Sequence, residues 1–316
     1  MNINGHEVKF GIQTPPEYVS FDEIKSTWLE AEKLGFDSAW LYDHFFPIIG
    51  DPSGPCHEGW TTLSALAALT SKIHCGIMVT GNTYRNPALL AKMGATVDVL
   101  SNGRLSMGIG AAWFELEHNA YDIPFYTVGQ RIRRCDESCE IIKRLWSEEK
   151  VNFDGKYYKI KDAYCNPKPV QKPHPPLMIG GQGEKLMLRV VAKHADAWNC
   201  FGSPEYLANK INVMREHGKA VGRNIDEIEK SVICSPCVTE DKGKIKEAVA
   251  RYAKFFRLES EDDARRRMLA GNASEVTKRV KEYLEVGVTH IILGMLPPYD
   301  MESVRNFADM VMPQFR

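Results

Sequence analysis

No stretch of the 316-residue chain approaches the ~18 consecutive apolar residues of a helical membrane span, and none is a long basic run. Its 40 Lys and Arg stand against 41 Asp and Glu, a formal net charge of -1. Nucleic-acid binding needs clustered cations, so no nucleic-acid partner and no membrane partner are expected. The first ten residues carry Glu7 and Lys9 where a secretory leader would be apolar, which points to a cytoplasmic protein. The chain also lacks a GxSxG elbow, a Walker sequence and an HExxH pair, so it offers no covalent nucleophile or metal centre of those types. Its eight cysteines are scattered. Cys234-Ser-Pro-Cys237 has no second ligand pair, and a structural zinc site needs one. Cys135 and Cys139 lie one helical turn apart, as plain packing would place them. The cysteines are expected reduced and mostly buried, and no metal is expected.

What is present is a rhythm. At 44% hydrophobic and 26% charged residues, the chain can bury a large core. Short apolar runs alternate with longer segments of helical period. Strands are expected at 8–13, 38–41, 74–79, 105–109, 177–179, 197–200, 228–237 and 291–293. Helices are expected at 21–34, 61–69, 87–100, 129–146, 185–194, 204–220, 275–286 and 302–311. Gly35 ends the first helix, and Pro87 opens the third at a position where its missing N–H costs nothing. Insertions interrupt the rhythm at about 111–128, a long loop, and at 147–176, with a two-residue hairpin turn at Asp154-Gly155 and an extended Pro-rich connector. A third, at 240–272, is charged and mostly helical and reads as a lid. Eight β-then-α units predict a single-domain α/β (β/α)₈ TIM barrel over residues 1–316. A dinucleotide-binding reading of Gly108-Ile-Gly110 fails because Trp113 occupies the third glycine position.

In such a barrel the chemistry collects in the loops after the strands. The second strand is followed by Tyr42-Asp43-His44. His44 is a candidate for proton transfer, and Asp43 for orienting a ring or setting the His44 tautomer. After the third strand, Thr80, Asn82 and Thr83 can hydrogen-bond a heterocycle, while Asn86 is placed to cap a helix. After the fourth, Gly110, Ala111 and Ala112 let backbone approach a flat ring or phosphate, and Trp113 can stack on it. His118 is a candidate pocket wall. After the fifth, Gly180-Gly181-Gln182-Gly183 runs into a helix, a combination suited to an anion. This inventory suits an enzyme whose cofactor carries the hard chemistry.

Several segments resemble the luciferase-like flavin- and F420-dependent oxidoreductases. They are Ala31-Glu-Lys-Leu-Gly-Phe-Asp-Ser-Ala-Trp40 with Asp43-His44, Arg85-Asn-Pro-Ala-Leu-Leu-Ala-Lys-Met93, Val97-Asp-Val-Leu-Ser-Asn-Gly-Arg104 and Met107-Gly-Ile-Gly110. Asn166-Pro-Lys-Pro-Val-Gln171, Pro175-Pro-Leu-Met-Ile-Gly-Gly181 and His194-Ala-Asp-Ala-Trp-Asn199 continue the likeness in order. Thr83-Tyr-Arg-Asn-Pro87 and Trp113 followed by Glu117-His118 look most like the F420-dependent subgroup. The resemblance implies a ring lying over a bulge at the end of the third strand, with a cis non-prolyl peptide near Met78-Val79. Asp43, Thr80 and Asn82 would line that ring. Gly110 to Trp113 and Gly180 to Gly183 would hold the ribityl and phosphate portions. Ala112 departs from the pattern, since relatives often have Gly there, and so does Phe114, where many have a polar residue.

The resemblance thus implies coenzyme F420, a small organic substrate and a homodimer, with His44 in proton transfer. An FMN-dependent monooxygenase and a barrel that binds its ligand without turnover are the alternatives.

Overall fold

The computed structural model describes residues 1–48 and 50–316. Eight parallel strands close into a barrel, labelled here β1 (Lys9–Gln13), β2 (Ser38–Leu41), β3 (His74–Gly81), β4 (Leu105–Gly110), β5 (Leu177–Gly180), β6 (Ala197–Cys200), β7 (Glu229–Cys234) and β8 (His290–Gly294). Each pairs with its neighbours in sequence, and β8 pairs with β1. The fold is therefore the expected (β/α)₈ barrel. Helices on its outside begin where the local chemistry satisfies their free N–H groups. Ser20 and Glu23 form a capping box for Phe21–Lys33, Asn86 caps Pro87–Leu100, and Thr127 with Gln130 caps Val128–Ser147.

Two apolar layers follow from strand alternation. Outward residues such as Ala39, Leu41, Ile77 and Ile179 pack under the helices in the main core. Inward residues Trp40, Met78, Met178, Ala197 and Ile292 form a smaller cluster within the barrel. Toward the N-terminal ends of the strands the interior is polar, and its groups satisfy one another. Lys9 Nζ donates to Glu229 (2.7 Å), His290 lies between Glu229 (2.9 Å) and Ser38 (2.8 Å), and Trp40 Nε1 donates to Ser38 Oγ (2.8 Å). This closed network leaves the opposite end for ligands.

The insertions differ from expectation in particular ways. The segment 111–128 is not all loop, since Glu115–Ala120 is helical. The hairpin Val151–Asp154 with Lys159–Ala163 pairs Asp154 with Lys159, so its loop has four residues, not two. The carboxylate of Glu137 organises that loop by accepting from the amides of Lys156, Tyr157 and Tyr158 (2.8, 2.9 and 3.1 Å). The single run expected at 228–237 is split at Ser235. Its outer piece, Pro236–Val238, leaves the barrel and pairs with Leu269–Gly271. With helices Lys242–Phe255 and Glu261–Arg267 it builds a separate cluster around Ile245, Val249, Tyr252 and Met268. Among the described residues no helix is long and apolar enough to cross a membrane.

Candidate active site

A cavity of about 830 Å³ opens at the C-terminal ends of the strands, within the ~300–1,000 Å³ of small-molecule sites. It draws its wall from the ends of all eight strands and from the 240–272 insertion, through Tyr252, Phe255, Phe256 and Arg257.

His44 follows β2 directly and lies in the wall. Its Nδ1 sits 3.1 Å from both carboxylate oxygens of Glu117, and no group among the described residues bonds its Nε2. Glu117 is fully buried and also accepts from the amides of Phe45 (2.7 Å) and Phe46 (3.2 Å) and from the Tyr84 hydroxyl. Burial disfavours the Glu117 carboxylate, but the hydrogen bonds from His44, Tyr84 and Phe45 outweigh it and hold its pKa below the ordinary range. Beside a charged carboxylate Nδ1 is the donor, which leaves Nε2 as the ring nitrogen that no described residue bonds. The rings of Tyr42, Trp113 and Phe114 stand edge-on around the imidazole.

Glu117, rather than Asp43, is thus the partner of His44. Asp43 belongs to the wall but exposes no surface. Arg85 grips it in bidentate fashion (2.5 and 3.0 Å), and Thr80 donates to it (2.9 Å) while accepting from Trp60 Nε1 (2.6 Å). Burial disfavours the Arg85 cation, but Asp43 and Glu58 together hold it above its usual pKa. Thr80 and Asn82 lie behind the wall rather than in it, both buried. The Asn82 amide nitrogen Nδ2 has no partner among the described residues. Thr83 and His118 also lie outside the cavity. The Thr83 hydroxyl is 2.7 Å from His118 Nε2, and His118 Nδ1 is 2.8 Å from the Phe114 carbonyl. His118 is a buried structural histidine, not a pocket wall.

The end of β3 carries the expected bulge. The β3–β4 register shifts between Ile77 and Thr80, and the Met78–Val79 peptide is cis. Gln13 Nε2 donates to the Met78 carbonyl at 2.8 Å. The Val79 side chain fills a slot made by three glycines. A Cβ would meet it at 2.9 Å on Gly108, 2.8 Å on Gly110 and 2.9 Å on Gly180, closer than real contacts allow. These glycines therefore serve the bulge first, a reason that the sequence reading of a ligand-approach surface did not contain. Ala112 has φ 62°, the left-handed region in which glycine is at ease. Trp113 is 61% exposed and stacks on Phe114 (5.1 Å) at the rim, so it is not a core residue.

The turn after β5 also differs in detail. Its helix starts at Met187 rather than 185. The Gly181 amide is not free, since it donates to Asn199 O at 3.3 Å, and the Gly181 carbonyl accepts from Trp198 Nε1 at 2.8 Å. The Gln182 side chain accepts from Tyr206 OH at 2.9 Å. The amides of Gln182 and Gly183 donate to nothing among the described residues, so they are the ones open to an anion. The neighbouring Cys200 thiol is pushed up to about 12 by burial. Glu117, Tyr84, Arg85 and Arg131 are the polar wall and support residues that sequence reasoning gave no role. The first three lie within the family-like segments around residues 83–87 and 117–118, which was the available signal.

A family model described as luciferase-like monooxygenase matches residues 8–290. An F420-dependent glucose-6-phosphate dehydrogenase of Kineococcus radiotolerans is 27% identical over 341 residues, covering 100% of this chain and 99% of its own. A solved F420-dependent secondary alcohol dehydrogenase, in complex with an F420–acetone adduct, superposes with a TM-score of 0.87 at 22% identity, covering 98% of this chain and 100% of its own. A solved monooxygenase from Streptomyces bottropensis does so with 0.81 at 22% identity and the same coverage. At that identity the two structures speak for the fold alone. The family match takes in seven of the eight barrel strands whole and the start of the eighth, and with them the bulge, the His44 loop and the glycine turn: the chain belongs to the luciferase-like monooxygenase family.

Proposed function

We propose that this protein is an F420-dependent oxidoreductase that moves a hydride between the cofactor and a small organic substrate. The observation that carries the reading is His44, a residue of the cavity wall held through Nδ1 by a buried carboxylate, with no described residue bonding its Nε2. Full-length likeness to an F420-dependent dehydrogenase supports the choice of cofactor. The site's own features suit such a molecule: the cavity is large enough for a fused ring, and the Gln182 and Gly183 amides are open for a phosphate. When bound, F420 supplies a two-electron hydride acceptor or donor at C5.

The chain's residues then have distinct tasks. In the oxidising direction, the substrate loses hydride from carbon, and His44 Nε2 takes the proton from its oxygen. In the reducing direction the same atom returns it. Glu117 fixes the imidazole tautomer, and Tyr84 fixes Glu117. Asp43, Arg85 and Thr80 brace the loop behind. Val79 and Met78 form the floor, with Gly110, Ala111, Ala112 and Trp113 along one side. The same resemblance carries the expectation of a cytoplasmic homodimer, which light scattering tests against the 35.7 kDa chain mass.

The direct test separates turnover from affinity. His44→Ala is expected to lower kcat by ~10²- to 10⁴-fold, the usual worth of a positioned acid–base group, with cofactor Kd little changed. Glu117→Gln should lower kcat less and displace the pH profile, because it leaves the imidazole in place without its charged partner. Unchanged kcat in His44→Ala would remove the imidazole from the chemistry.

A further inference from the structure

Glu117 is the buried anion against which the His44 imidazole rests. Its oxygens accept from His44 Nδ1, from the Phe45 and Phe46 amides and from the Tyr84 hydroxyl. Apart from His44, every one of these donors is neutral. The two amides reach Oε1, whereas Tyr84 reaches Oε2, where the imidazole is its only companion. Arg85, the cation next to Tyr84 in the chain, is taken by Asp43 and Glu58. Around this loop three carboxylates, Asp43, Glu58 and Glu117, thus stand against one guanidinium. Such an excess of negative charge favours the imidazolium over the neutral ring. A histidine that is to take a proton must be neutral at the working pH.

The other titratable groups packed about the pair bring no positive charge. The Tyr42 ring stands edge-on to the imidazole at 5.2 Å, and Cys56 Sγ donates to the His44 carbonyl at 3.5 Å. Burial pushes the Tyr42 hydroxyl well above its ordinary pKa and the Cys56 thiol up to about 12, so both stay neutral. His118 packs on the Tyr84 ring at 5.0 Å, and its two nitrogens are engaged by Thr83 and the Phe114 carbonyl. The Tyr84 hydroxyl is itself raised, by burial first and then by Glu117. It therefore keeps its proton and remains a donor, drawing charge from Oε2 without adding a charge of its own.

We infer that Tyr84 is a positioning residue that sets the pH at which His44 exchanges its proton, by sharing the negative charge of Glu117 that would otherwise hold the imidazole as a cation. The inference rests on reading His44 as the proton-transfer group. What it adds is the means by which this histidine stays neutral beside a buried carboxylate. The two amides act in the same sense but belong to the loop that carries His44. Tyr84, after β3, is the donor that a substitution removes singly.

The test is the titration of His44 itself, followed by NMR in ligand-free protein labelled with ¹⁵N-histidine and assigned by the signal lost in His44→Gln. Tyr84→Phe removes the hydroxyl and keeps the ring. His44 should then titrate about 0.5–1 pH unit higher, a fraction of the worth of a hydrogen bond to a charged group. Glu117→Gln should move it the other way, by about 1 unit or more. Replacing Tyr84 by 3-fluorotyrosine, a stronger donor of nearly the same size, should lower the His44 titration below wild type, and this arm stands even if Tyr84→Phe does not fold. In turnover, the acid limb of kcat/KM for oxidation should rise with the titration in Tyr84→Phe. That is a loss of about three- to tenfold below the limb and none well above it. A merely structural tyrosine would lower kcat at every pH and leave the titration where it was. A His44 titration unchanged in both Tyr84 variants, or lowered in Tyr84→Phe, overturns the proposal. The predicted shifts in a protein without F420-dependent turnover would remove the functional reading and keep Tyr84 as the group that tunes His44.

Discussion

Ala112 has a left-handed backbone, φ 62°, in the cavity wall beside Trp113, at the position where the sequence resemblance leads one to expect glycine. An L-residue there carries a penalty of about 1–2 kcal/mol, so Ala112→Gly should stabilise the protein by up to ~1 kcal/mol after the entropy of the added glycine. Thermal unfolding checks this, and a lower Tm would contradict it. The departure was visible in the sequence, but its backbone cause was not. The same holds around His44. Its place at the mouth was legible, because it directly follows a strand. Its partner was not, because Glu117 lies 73 residues away in a segment read as loop. Once 115–120 is a helical turn, Glu117 and His118 both face inward and are fully buried. Nor could sequence distinguish a glycine that admits a ligand from one that admits Val79. Gly108, Gly110 and Gly180 are of the second kind by their contacts.

At the scale of elements, the barrel strands and their helices were readable because period and capping agree. The Pro87 start with its Asn86 cap is one example, and the Ser203 cap of Pro204–Val221 another. What escaped were pieces defined by distant partners. Pro236–Val238 is a strand only because Leu269–Gly271 lies beside it, and the hairpin loop at 155–158 takes its shape from Glu137. The helix Val128–Ser147 matters most for the site, since its first turn carries Val128, Arg131 and Ile132 into the wall. Thr127 and Gln130 fix that turn through a reciprocal cap. Thr127→Ala should therefore cost ~0.5–2 kcal/mol of stability, read as a lower Tm. An unchanged Tm would mean that the cap does not hold the turn.

For the whole molecule, acid stability follows from carboxylates tied across elements. Glu32 is pushed up by burial but held at about 2 by the amides of Ile73, Lys72 and Ser71, against an ordinary 4.5. Asp136 is held at about 2, chiefly by its hydrogen bond with His194. Both folded-state values are depressed, so their stabilisation is fully present above the unfolded value and lost as pH falls through the folded one. Tm should be insensitive to these groups from pH 7 to 5 and fall between about pH 4.5 and 2. Glu32→Gln should start lower and fall less steeply across that window, and parallel curves would remove Glu32 from the account. The barrel, its cavity and its family were legible because the repeated pattern spans the chain, but the cofactor is a matter of a few contacts within a shared fold. The most direct measurement is therefore an anaerobic equilibrium titration of the ligand-free protein with F420 and with FMN, read by fluorescence. F420 is expected to bind more tightly by about tenfold or more, ~1.4 kcal/mol; tighter binding of FMN would contradict the F420 assignment and favour a flavin-dependent monooxygenase.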